Sequence, residues 1–200
     1  MRRSALLVAL FASLSVPAFA EEPAASTSQT AAETGNAFKQ PGGMFDASEQ
    51  PRPFLIGAFL EFPYGYWYGG FPLAVGGRFY IPLVKQGFVP NLNDEFGLDV
   101  GVDLALLFTY WGVGFLIDIP VEAMWKLNLT SKFSAYAKLG VGLGIRLGNY
   151  LGYCGYGFGC WPVTPTFYGS VGAIYKLADG LWLRGELGYP GIKIGLTFPL

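Results

Sequence analysis

From Phe96 to Tyr110 every second residue is apolar or aromatic: Phe96, Leu98, Val100, Val102, Leu104, Leu106, Phe108 and Tyr110. The alternate set is Glu95, Gly97, Asp99, Gly101, Asp103, Ala105, Leu107 and Thr109, small or acidic apart from Leu107. A period of two puts these sets on opposite faces of one strand, whereas a helix would scatter the aspartates around its circumference. The next stretch repeats the pattern with the parity reversed. Val113, Phe115, Ile117, Ile119, Val121, Ala123, Trp125 and Leu127 form the oily face; Asp118, Pro120, Glu122, Met124 and Lys126 lie on the other. The reversal falls at Tyr110-Trp111-Gly112, where a hairpin is expected. Pro120 lacks a ladder donor, which leaves room for a bulge there.

The same alternation predicts six more strands, at about 54–63, 71–83, 132–147, 163–177, 181–189 and 191–200. Asp179-Gly180 favours a tight primed turn, and 128–131 and 189–191 are also short. Two connections, 64–70 and 149–162, are long or aromatic.

The two faces have an unusual composition. In a water-soluble sheet the oily face packs inward. Here the oily face is continuous on every strand, and the other is lean, rich in glycine and carries both charge signs. The chain is 52% hydrophobic and only 14% charged. Lipid-spanning barrels show this inverted pattern, apolar outward and polar inward. They must close, because hydrocarbon tolerates no unpaired sheet edge. Trp125, Phe133, Tyr175 and Phe198 lie on the outward parity at strand ends that share one membrane face. Phe71, Tyr110 and Trp161 lie near the opposite ends, which predicts two aromatic girdles.

The inward parity collects the acids Glu61, Asp99, Asp103, Asp118, Glu122 and Glu186. It collects the bases Arg78, Lys126, Lys138, Arg146, Lys176, Arg184 and Lys193. An eight-stranded barrel is just wide enough inside for side chains. The expectation is a paired charge network that plugs the lumen. A polar conduit is the alternative, because inward glycines either leave a cavity or make room for large neighbours.

The N-terminus reads as a secretory signal peptide over 1–20, with Arg2 and Arg3, an apolar run from Ala5 to Val16, and Ala18-Phe19-Ala20 as the cleavage site. Residues 21–52 carry few large apolar groups, which predicts a disordered tail ahead of a barrel at 53–200. Cys154 and Cys160 enclose Gly-Tyr-Gly-Phe-Gly. In an oxidising compartment a disulfide is expected between them, worth roughly 2–3 kcal/mol on the loop-entropy model. The net charge of −1 offers no basic surface for nucleic acid. Histidine is absent, which excludes histidine-based acid–base or nucleophilic catalysis. No metal-ligand cluster, phosphate loop or serine-centred motif is present, so no cofactor, metal or catalytic residue is expected.

Eight alternating strands behind an unfolded tail resemble the small bacterial outer-membrane barrels of the OmpA/OmpX architecture. The resemblance covers about 54–200 and is carried by patterning alone. It implies an all-β, eight-stranded, antiparallel, up-and-down transmembrane barrel with both termini in the periplasm. It places 64–70, 149–162 and the tips at 110–112 and 189–191 outside. It implies outer-membrane lipids and the barrel-assembly machinery as partners; no surface ligand is identified. Such proteins commonly finish in an aromatic residue, whereas this chain ends Thr197-Phe198-Pro199-Leu200. The function expected is non-enzymatic, structural or surface-interacting. The alternative is a narrow channel or transporter for small molecules, hydrophobic ones included.

Overall fold

A computed structural model describes residues 36–64, 71–109, 112–148 and 163–200. Period-two patterning becomes eight strands: β1 (Leu55–Pro63), β2 (Phe71–Val84), β3 (Asp94–Thr109), β4 (Gly112–Asn128), β5 (Phe133–Gly148), β6 (Val163–Ala178), β7 (Leu181–Tyr189) and β8 (Gly191–Pro199). Each pairs antiparallel with its sequence neighbours, and β1 pairs with β8 from Leu55↔Pro199 to Pro63↔Gly191. The sheet is therefore a closed barrel with no free edge. The turn from β6 to β7 uses Asp179-Gly180, with Gly180 at φ +82°, a left-handed conformation that glycine adopts without steric cost.

Side-chain burial is inverted relative to a water-soluble fold. Leu139 is 74% exposed and Phe167 75%, while Asp99 and Glu95 are wholly buried. Along β1 buried and exposed residues alternate without exception. Trp125, Phe133, Tyr175 and Phe198 all project outward from the end of the barrel that carries the chain terminus, called here the terminal end. There the rings of Phe54 and Phe79 also stack, 5.9 Å apart. Tyr110, Trp161 and the side chain of Phe71 lie outside the described residues, as do Cys154, Cys160 and the signal peptide.

Two sequence expectations need correction. No bulge forms at Pro120. Val100↔Val121 and Asp103↔Asp118 belong to one register, so the β3–β4 ladder loses contacts at the proline without slipping. Register shifts occur instead between Pro82 and Val84 and between Lys176 and Ala178, both near strand ends at the terminal end. The second correction concerns the tail. The described part of 21–52, from residue 36 on, is bonded to the barrel. Met44 N donates to Leu129 O at 3.1 Å, and Asn93 N donates to Met44 O at 2.8 Å. Composition understated this segment because polar hydrogen bonds, not apolar burial, hold it.

Several inward glycines lie against large neighbours. A Cβ on Gly142 would come within 2.9 Å of the Tyr168 ring, and one on Gly140 would collide with the Glu122 backbone. One on Gly101 would meet the Arg78 side chain at 2.7 Å. Each leaves room for a large side chain from the neighbouring strand.

Candidate functional site within the barrel

The lumen holds a connected ionic network across seven strands. Arg78 on β2 makes a bidentate pair with Asp103 on β3, Nη1 to Oδ1 and Nη2 to Oδ2, both at 2.5 Å. Lys193 on β8 bonds the same Asp103 at 3.0 Å and reaches Glu61 on β1 at 3.3 Å. Arg78 Nε lies 4.0 Å from Glu122 on β4. Lys138 on β5 gathers three carboxylates: Glu122 at 2.8 Å, Asp99 at 3.0 Å and Glu186 on β7 at 3.0 Å. Arg184 on β7 closes the circuit by pairing with Asp99 and, at 2.8 Å, with Glu186. These residues are each at most 5% exposed. A buried charge is tolerable only when paired and hydrogen-bonded, and here each has a partner of opposite sign.

The pattern that finds these side chains is strand parity. Arg78–Asp103 and Lys138–Glu122 join neighbouring strands and follow from their register, whereas pairs between distant strands depend on closure of the sheet. Asp99 and Arg184 are separated by 85 residues in sequence and joined in the lumen.

An apolar slab lies on the terminal-end side of this network. It consists of Leu55, Tyr80, Met124, Tyr136, Ile174 and Trp182, all buried. Tyr136 OH accepts from Arg184 Nε at 3.0 Å, joining the slab to the network. The Arg184 guanidinium also sits 4.9 Å from the Tyr136 ring centre and 5.2 Å from that of Phe59, within range for cation–π attraction. The parity reading anticipates a polar interior and does not single out this slab. Its members share the inward parity but carry no charge to mark them.

Lys126, expected in the same charge network, belongs to a separate cluster beyond the slab. It pairs with Glu95 and lies 5.4 Å from the Tyr80 ring centre. Glu95 also accepts from Tyr80 OH at 3.0 Å and pairs with Arg52 Nε at 2.9 Å. Sequence reasoning passed over both Glu95 and Arg52. Glu95 shares the parity of Asp99 and Asp103, which was a usable signal. Arg52 precedes the first strand, where periodicity says nothing. Asn93 joins these parts: its Oδ1 accepts from Arg52 Nη2 at 2.6 Å and from Asn128 Nδ2 at 3.1 Å, while its Nδ2 donates to Gly43 O at 3.1 Å.

The remaining predicted residues lie elsewhere on the inner wall. Asp118 is buried directly across from Asp103, and Arg146 is half-buried opposite Leu116, both toward the loop end. Lys176 is exposed at the terminal end, 5.1 Å from the Trp182 ring centre. Among the described residues no group of His, Cys, Asp and Glu is arranged to hold a metal ion.

No family model and no curated protein matches the sequence. Among solved structures, the chain is similar to a de novo designed transmembrane β-barrel, with 16% identity and a TM-score of 0.49. That alignment covers 76% of this chain and 100% of the design. The chain is also similar to the outer membrane protein Ail of Yersinia pestis in a phospholipid bilayer nanodisc. Here identity is 10%, the TM-score 0.41, and coverage 73% of this chain and 99% of Ail. The closed sheet, oily outer wall and buried ionic interior make this chain an eight-stranded antiparallel β-barrel of the lipid-spanning kind.

Proposed function

We propose that the protein is a non-enzymatic outer-membrane barrel whose lumen is closed by its own side chains, acting structurally or through its surface loops. The observation that carries this reading is the ionic network backed by the apolar slab. An ion crossing the lumen would have to separate the Lys138 carboxylate cluster and then pass Tyr80, Met124, Tyr136 and Trp182. Breaking one buried pair costs about 3–5 kcal/mol, and the slab offers no charged group in compensation.

In this reading the outer wall contacts outer-membrane lipid and the terminal end faces the periplasm. The connections at 64–70 and 149–162, rich in Tyr, Gly and Trp, meet the exterior. Insertion depends on the barrel-assembly machinery, with Phe198 as the aromatic residue near the chain end. Planar-bilayer recording on residues 21–200 tests the closed lumen. The expected result is silence from a protein whose gel band shifts on heating. Discrete unitary conductance would overturn the reading in favour of a narrow channel.

A further inference from the structure

Residues 42–52 lie along the rim of the terminal end. They contact the β4–β5 turn through Met44 and Leu129 and the β2–β3 connection through Gln86 and Asn93, then enter β1. In an eight-stranded barrel β1 and β5 are four positions apart, so this path spans half the circumference.

The segment carries its own internal frame. The Asp46 carboxylate accepts from Gly42 N at 2.6 Å, Ser48 Oγ at 2.6 Å, Ser48 N at 3.1 Å and Gln50 Nε2 at 3.0 Å. These bonds are internal to the segment and do not depend on the barrel. Its attachment to the lumen is concentrated at Arg52. That side chain pairs with Glu95, donates to Asn93 Oδ1 and reaches Lys85 O at 3.1 Å.

We propose that residues 42–52 form a detachable cap on this end of the barrel, latched by Arg52 onto Glu95. The decisive feature is that Glu95 is doubly satisfied. When Arg52 withdraws into water, Glu95 keeps Lys126 and the Tyr80 hydroxyl, so no buried charge is stranded. In the central network Lys138 and Lys193 cannot leave on such terms, because Glu122 and Glu61 would be left with no equivalent second cation. The rim bonds to Asn93 and Leu129 can be replaced by water. Opening the cap uncovers the Glu95–Lys126 pair and the Asn93 side chain while the slab behind them stays shut.

The test uses the full mature chain in detergent micelles, reading protease cleavage within 42–52 and hydrogen exchange at the Met44 and Asn93 amides. Hydrogen bonds to charged groups contribute about 1.5–3 kcal/mol, and each 1.4 kcal/mol is tenfold. Arg52→Gln is therefore expected to speed cleavage and exchange about tenfold to a hundredfold, with the barrel's unfolding midpoint unchanged. Glu95→Gln is expected to release the cap and also lower the midpoint, because Lys126 then lacks its carboxylate. Unchanged exchange in Arg52→Gln would overturn the latch. A midpoint that falls as far in Arg52→Gln as in Glu95→Gln would overturn detachability.

Discussion

Lys138 is the residue on which the lumen's charge balance turns. Its ammonium holds Glu122, Asp99 and Glu186 at 2.8–3.0 Å. Lys138→Met keeps most of the volume and removes the charge. The three carboxylates are not left equally exposed to that loss. Asp99 and Glu186 both retain Arg184. Glu122 retains only Arg78 Nε at 4.0 Å, and that guanidinium is already engaged by Asp103. The penalty therefore concentrates on Glu122, and removing one partner of a buried pair costs about 3–5 kcal/mol. The expected loss is of that size. Lys138→Met combined with Glu122→Gln removes the stranded charge and is expected to recover at least half of it. Urea unfolding in detergent micelles, followed by tryptophan fluorescence and by the heat-modifiable gel band, measures both. If the double variant is no more stable than the single one, Glu122 is not where the cost lies, and the network account is wrong.

Three other outcomes follow from the geometry. Leu139 is highly exposed at the middle of β5. Leu139→Arg is expected to destabilise by about 2–4 kcal/mol in lipid vesicles, because the midplane penalises charge, whereas a water-facing position would show almost none. Gly140→Ala drives a Cβ into the Glu122 backbone, and Gly185→Ala meets nothing within 4 Å. The first is expected to cost about 1–3 kcal/mol and the second to stay within about 0.5 kcal/mol by the same unfolding assay. Finally, the Ser48 hydroxyl, followed by the Gly42 and Ser48 amides, holds the Asp46 carboxyl below its ordinary value of 3.8. A depressed folded value means its contribution to the cap is complete above the unfolded pKa and is lost as pH falls through the folded one. Protection against hydrogen exchange in 42–48, taken relative to the intrinsic rate at each pH, is expected to fall below about pH 4, and Asp46→Asn is expected to abolish that dependence.

Strand number, strand bounds and the outward face were legible from the chain because a pleated strand repeats every two residues, and that repeat survives without knowledge of neighbours. The inverted composition of the faces pointed to lipid outside and charge inside for the same reason. Membership of the inner wall was equally legible for Glu61, Arg78, Asp99 and Lys138. Their pairing across distant strands was not. Arg184 on β7 meets Asp99 on β3, four strands away, and only the tilt and closure of the sheet decide which levels of such distant strands coincide. Arg52 and Asn93 were invisible to periodicity because they act from outside the strands, through single polar contacts that leave no repeat. Sequence alone thus determined which residues face inward, since that is a local property of the backbone. The tertiary structure decided which distant residues meet, that an uncharged slab backs the charges, and that the end of the tail is bonded to the rim, since those depend on distances across a barrel that exists only once the last strand has joined the first.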